Sequence, residues 1–288
     1  MSAPLFLVEI LPIGPTFTLD GPEGHHAANV QRLRTGEHLI LADGVGGTAH
    51  AEVTAVARGS IDVTITARAQ EPPADPRLVV VQGIPKGDRG ELAVQAMTET
   101  GVDEIIPWAA SRSVTQWRGD RGHRAHDKWS ATAREATKQS RRAWLPLISG
   151  APDCSTKQIA ARLTDAAAAF ILHEEATERL TTTPLPALAT GSGSAPAPGS
   201  GSALAPGSAP GSGSAPGIGP GPGPNSVPVP GSREIVLIIG PEGGISDAEV
   251  TLFRDSGALP VRLGPSVLRT STAGVAALAV LATRLTRW

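Results

Sequence analysis

The chain has 288 residues, 40% of them hydrophobic, and a formal net charge of -2. That content suffices for one large core or two modest ones, so two domains are expected, and nothing in the total charge points to nucleic acid. A single cysteine, Cys154, excludes an intramolecular disulfide and has no cluster to join as a zinc site, so no metal is expected, the natural compartment is a reducing cytoplasm, and Cys154 reads as a structural or loop thiol.

The opening stretch, MSAPLFLVEILPIG, has no basic leader and carries Glu9 and Pro12 in its apolar run, which argues against a signal peptide. Over residues 5–69, short β-rich runs (EHLILADG, GTAHAEVTAVARG, SIDVTITARA) alternate with turns. Asp43-Gly44 and Arg58-Gly59 fall where hairpin turns belong. The pattern predicts a small β-barrel or sandwich. Pro72, Pro73 and Pro76 mark a linker. Beyond it the period changes: RLVVVQGI reads as a continuous apolar strand, residues 89–100 as a helix, GVDEIIPWAA as a strand and DKWSATAREATKQSRRA as a helix. Strands alternating with helices predict an α/β domain whose largely parallel sheet is covered on both faces.

Charge is unevenly spread. Between Arg112 and Arg142 nine Lys or Arg stand against Asp120, Asp127 and Glu135, a local balance of +6. Trp117, Trp129 and Trp144 are interleaved with them. This composition suits phosphate contacts with stacking on bases, and equally a solvated helix with core tryptophans. Residues 191–232 are almost wholly Gly, Ser, Ala and Pro, too poor in apolar surface to offset chain entropy. They read as a disordered insertion within the α/β domain, because the strand pattern that breaks off after AAAAFILHEEATERL resumes at REIVLIIG. The last apolar run ends at Arg284 and is too short to span a bilayer.

Three apolar strands end alike. AAFILHEEA leads through His173 and Glu174 toward an expected helix, EIVLIIGPEGG leads to ISDAEVTLFRDSG, and PVRLGPSVLRTSTAG leads to the final helix. In a parallel sheet the loops beyond the carboxyl ends share one edge, where ligands bind. Ser246 and Glu249 form a capping box and Gly257 ends that helix, which leaves Gly240, Gly243 and Gly244 free to make a turn whose backbone approaches a ligand closely. No P-loop or dinucleotide fingerprint occurs.

LIIGPEGGISDAEV followed by LGPSVLRTSTAGVAAL resembles the two signature loops of the RsmE-type uracil-N3 methyltransferases of 16S ribosomal RNA, members of the SPOUT superfamily. HHAANVQRLRTGEHLILADG, KGDRGELAVQAMTETGVDEIIPW, SRSVTQW and REATKQSRR extend the match over nearly the whole chain except residues 191–232. The resemblance implies a PUA-like RNA-binding β-barrel over residues 1–71, a trefoil-knotted SPOUT domain over residues 77–288, S-adenosylmethionine as methyl donor, a homodimer, and 16S rRNA or the assembled small subunit as partner. Ser266, Ser271 and Ala96 stand where the family commonly carries arginine, glutamate and lysine. The implied cofactor residues are Leu172, His173, Gly240, Pro241, Glu242, Gly243, Gly244, Leu263, Gly264, Leu268, Arg269, Thr270 and Ala273.

Methylation at N3 requires loss of a weakly acidic N-H proton and stabilisation of the negative charge spread onto the flanking carbonyl oxygens. Arg269, in the last cofactor loop, is the candidate for that stabilisation; Glu242 is the candidate for proton removal or for holding the loop. Lys86, Arg89, Arg112, Gln139 and Arg142 match positions suited to gripping RNA, with Arg32 and Arg34 of the barrel extending the grip. Two other readings stay open: a SPOUT enzyme acting at a ribose 2′-hydroxyl or another RNA, and a non-catalytic RNA-binding assembly factor.

Overall fold

Alternation of buried and exposed residues builds the first sheet. In this computed structural model, which describes residues 3–150, 152–186 and 233–288, strands β1 (Leu5–Leu7), β2 (Thr16–Leu19), β3 (His38–Ala42), β4 (Gly47–Ala57) and β5 (Ser60–Gln70) are ordered β1-β3-β4-β5-β2. Phe6, Leu19, Leu39, Leu41, Val53, Ile61 and Val63 point to one core. Both expected turns are present, with Gly44 and Gly59 at positive φ. The β4–β5 hairpin shifts register between His50 and Ala51 and between Val53 and Ala55, which bends it. Between β2 and β3 lie a short helix α1 (Gly21–His25) and a π-helical turn (His26–Val30).

The second sheet is parallel throughout. Strands β6 (Arg77–Gly83), β7 (Glu104–Trp108), β8 (Leu147–Ile148), β9 (Ala168–Leu172), β10 (Glu234–Ile239) and β11 (Ala258–Val261) are ordered β11-β9-β10-β6-β7-β8. Successive residues of one strand serve opposite faces. Leu78, Val80, Leu237 and Ile239 meet α2 (Arg89–Glu99), α3 (Gly119–Ser140) and α6 (Thr270–Arg284) through Val94, Met97, Trp129 and Leu281. Val79, Val81, Val236 and Ile238 meet α4 (Thr156–Leu163) and α5 (Asp247–Asp255) through Ile159, Leu163 and Phe253. Each fully buried side chain of this kind contributes about 1.5–3 kcal/mol.

Two elements differ from expectation. Helix α3 begins at Gly119, eight residues before the expected start: Gly119 takes a positive φ at its first position, and Gly122 is a packing site, where a Cβ would lie 2.8 Å from the Trp117 backbone. No helix follows β9 within residues 173–186. The Leu180 N-H instead donates to the Arg262 carbonyl, and the Arg284 guanidinium donates to the carbonyls of Leu180 and Thr183. This segment is thus shaped by β11 and α6, which no local pattern announces. The insertion at residues 191–232 lies outside the described residues.

The β-domain docks against the half of α3 that runs to the sheet's amino edge. Gly46 N-H donates to the Ala143 carbonyl, Leu145 N-H to the Gly44 carbonyl, and Lys138 pairs with Glu23 at 3.2 Å. At the same amino edge Arg77, Glu104, Arg162 and Glu234 form a closed quartet with contacts of 2.7–3.0 Å, and Ser149 donates to Glu104. Burial pushes the Glu104 carboxyl up, but the Arg162 and Ser149 hydrogen bonds and the charges of Arg162 and Arg77 outweigh it and hold it below the usual carboxylate range.

Candidate functional site

At the opposite, carboxyl edge three loops meet. The ends of β9 and β10 and the β11–α6 connection line a pocket of about 590 Å³, within the usual range for a small-molecule site. All thirteen residues singled out as cofactor-binding face it: Leu172, His173, Gly240, Pro241, Glu242, Gly243, Gly244, Leu263, Gly264, Leu268, Arg269, Thr270 and Ala273. Arg89 and Arg112, expected only as RNA contacts, line it as well. Glu174, Glu175, Asp247 and Arg262 also line the pocket without having been singled out there; their adjacency to the same strand ends was the signal.

The glycines divide the work differently from expectation. A Cβ on Gly243 would stand 2.7 Å from the Arg112 carbonyl oxygen, and one on Gly240 would stand 2.7 Å from Ile245 Cγ1. Their close neighbours are protein, not open space. Gly244 is at φ +73, where only glycine is at ease, and a Cβ on Gly83 beneath the turn would meet Pro241 N at 2.6 Å. The glycine whose missing side chain leaves bare space in the pocket is Gly264, where a Cβ meets nothing within 4 Å.

Glu242 is engaged. Its carboxylate accepts from Arg89 Nη1 at 2.9 Å and from the Lys86 N-H at 3.3 Å. Burial raises its pKa, but its own N-H, Arg89 and Lys86 lower it further, so the group stays an anionic acceptor. Of its two expected roles, this geometry supports holding the loop. Arg269 is the contrast. It occupies the N-cap position of α6, is exposed at the pocket, and among the described residues its guanidinium has no hydrogen-bond or ion-pair partner. Beneath it Gln82 Nε2 donates to Thr270 Oγ1 at 2.8 Å, fixing the start of α6 on the end of β6.

The other expected RNA contacts lie elsewhere. Lys86 is exposed beside Glu242, and Arg32 and Arg34 are exposed on the β-domain. Gln139 lines a cleft of about 130 Å³ between the domains with His26, Gln31, Lys138 and Arg141. This cleft lies toward the far end of α3 from the pocket; a 22-residue helix is about 33 Å long. Arg142 departs from expectation: its Nη1 donates to the Thr98 and Val102 carbonyls at 2.9 and 2.8 Å, and Asp103 lies 3.7 Å from Nη2. Those bonds commit the guanidinium to tying the end of α3 to the end of α2.

Trp117 and Trp129 are buried edge to face at 4.9 Å, which settles those two as core. Burial and the neighbouring Asp153 push the Cys154 thiol up, as suits an inert thiol. Among the described residues no His, Cys, Asp or Glu group has the makings of a metal site, and no helix is long and apolar enough to cross a membrane.

The chain matches an RNA methyltransferase domain over residues 72–196 and 224–282 and an RNA methyltransferase PUA domain over residues 19–66. It is 37% identical to a Mycobacterium bovis protein named ribosomal RNA small subunit methyltransferase E, over 100% of this chain and 94% of that one. A Bacillus subtilis protein of the same name is 26% identical, with 93% and 90% covered. Among solved structures, a Legionella pneumophila protein described as a methyltransferase in complex with bound SAM superposes with a TM-score of 0.72 at 25% identity, covering 99% and 98% of the two chains. The Neisseria gonorrhoeae ribosomal RNA small subunit methyltransferase E, bound to S-adenosyl methionine, gives 0.73 at 22% identity, with 98% of each covered.

Proposed function

Because the chain belongs to the RNA methyltransferase family, we propose that it transfers a methyl group from S-adenosylmethionine to N3 of one uridine in the 16S rRNA of the small ribosomal subunit. The observation that carries this reading is the convergence of three strand-ending loops on one pocket that also holds an uncommitted guanidinium, Arg269.

The lining fits that donor. Leu172, Ile239, Leu263 and Ala273 offer apolar surface, Glu174, Glu175 and Asp247 offer anionic groups, Arg262 and Arg269 offer cationic ones, and Gly264 leaves backbone bare. Such a mixture suits a ligand with an aromatic base, two positive centres and a carboxylate. When bound, S-adenosylmethionine supplies an electrophilic methyl group. The protein's own residues would then orient the uracil and stabilise its charge: Arg269, exposed at the pocket, is available to the carbonyl oxygens on which negative charge spreads as N3 gives its proton to solvent. Glu242 keeps the loop at Lys86 and Arg89 closed on the G-P-E-G-G turn.

RNA grip falls into two clusters. Lys86, Arg89 and Arg112 belong to the pocket edge, and Arg32, Arg34 and Gln139 to the β-domain and the far end of α3. Their separation, about the length of α3, suits a homodimer in which one protomer's β-domain serves its partner's pocket. We assign residues 1–71 to a PUA-like barrel, residues 77–288 to a SPOUT domain and the protein to the cytoplasm. A trefoil knot accords with α6, which leaves the edge strand β11 yet packs back over the sheet's centre, where Gly274 lies against Met97 and Ile239.

The test is mass mapping of small-subunit RNA from cells lacking the protein. Loss of a single N3-methyluridine, restored by the wild-type chain, is expected. Loss of a 2′-O-methyl group instead would move the activity to the ribose, and unchanged RNA would overturn the reading.

A further inference from the structure

The capping box of α5 does more than cap. Glu249 Oε2 accepts from the Ser246 N-H at 3.0 Å and from its hydroxyl at 2.7 Å, which completes the box. The same carboxylate also reaches the loop after β7: Oε1 accepts from the Ser111 N-H at 2.8 Å and Oε2 from the Ser111 hydroxyl at 2.9 Å. Glu249 is only 6% exposed, and a buried carboxylate is tolerated where it is fully hydrogen-bonded. The capping box of α4, Ser155 with Gln158, is exposed and among the described residues makes no hydrogen bond beyond its own helix start, although the neighbouring Thr156 hydroxyl donates to Glu249 Oε1 at 3.3 Å.

Arg112 follows Ser111. Its carbonyl lies under Gly243, its Nη1 donates to the Ile245 carbonyl at 3.3 Å, and it lines the pocket. We infer that Glu249 is a positioning residue: by clamping Ser111 it fixes the β7–α3 loop so that Arg112 is held at the pocket edge to engage the RNA. This inference rests on the proposed reading of the pocket as the site of RNA methylation. An amide at position 249 has one acceptor oxygen and one NH2 group, so it cannot accept from both Ser111 and Ser246 on separate oxygens.

Steady-state methyl transfer to small-subunit RNA with Glu249→Gln, Arg112→Ala, the double variant and Ser155→Ala decides it. Glu249→Gln is expected to raise the KM for RNA about tenfold, equivalent to about 1.4 kcal/mol, with kcat and S-adenosylmethionine affinity within about twofold, since Glu249 does not itself line the pocket and the only lining residue it releases is Arg112 at the edge. The double variant should be no worse than Arg112→Ala alone, because the clamp acts through that residue. Ser155→Ala should lower Tm and leave KM unchanged. Additive losses in the double variant, or an unchanged KM for Glu249→Gln, would overturn the inference. Hydrogen exchange of residues 109–118 is read on the same proteins without RNA: faster exchange in Glu249→Gln than in wild type is expected, and equal exchange also overturns the clamp. If wild type transfers no methyl group, the proposed function fails while the exchange result still decides the clamp. Should Glu249→Gln not fold, Ser111→Ala takes its place, with a smaller rise in KM and the same non-additivity with Arg112→Ala.

Discussion

The two edges of the parallel sheet spend their charges in opposite ways. At the amino edge Arg77, Glu104, Arg162 and Glu234 satisfy one another in a closed quartet. At the carboxyl edge Glu242 is paired with Arg89, but Arg269 lines the pocket with no hydrogen-bond or ion-pair partner among the described residues. Charges that neutralise one another bind elements together; a charge left facing a cavity is available to a ligand. Substitutions at the first edge should therefore register in stability and at the second in chemistry.

The largest expected effect is at the closed edge. Glu104→Gln leaves Arg77 and Arg162 facing a lost charge and should destabilise the fold by about 3–5 kcal/mol in denaturant titration. The pH dependence has a definite sign. Because the folded-state pKa of Glu104 is depressed, its contribution is present above the unfolded carboxylate value of about 4.3 and is lost as pH falls through the lower folded value. Wild-type stability should fall below about pH 5, and Glu104→Gln should flatten that fall.

Next comes Arg269→Ala, which should lower the single-turnover rate with saturating RNA and cofactor on the order of 10²-fold, about 2.7 kcal/mol, while unfolding is nearly unchanged. A wild-type rate would place the charge stabilisation elsewhere. Arg142→Ala makes the same comparison with an arginine whose guanidinium is already committed. It should destabilise by roughly 2 kcal/mol through loss of its charged hydrogen bonds, and the salt dependence of RNA binding should keep its slope. A slope reduced by about one unit would return Arg142 to the RNA surface. The smallest effect is expected from replacing residues 191–232 with a short Gly/Ser loop. On composition alone, Tm and methyl transfer should stay within error, and a large loss of either would give that segment a role.

Arg142 and Arg269 also show where sequence reading stops. The three strand-ending loops, the Ser246–Glu249 cap and the hairpin glycines are local patterns and were legible. Which of two arginines is committed depends on partners far along the chain, such as the Thr98 carbonyl 44 residues from Arg142. Gly243 and Gly264 both line the pocket, yet a Cβ on the first would stand against the Arg112 backbone and a Cβ on the second would meet nothing within 4 Å, a difference the sequence does not show. Ser111 and Glu249, 138 residues apart, carry no shared signal at all. The early start of α3 was hidden by Gly119 and Gly122, which read as breakers, though Gly122 is a close contact with Trp117.

Calorimetric titration of S-adenosylmethionine into wild type and Gly264→Val tests the central claim most directly. Gly264 has no positive φ to lose and no protein neighbour to strain, so the variant should fold with an unchanged Tm while its side chain fills space meant for the ligand. Binding by wild type and its loss in Gly264→Val is the predicted result; equal affinity in two folded proteins would mean that the carboxyl-edge pocket is not where the methyl donor sits.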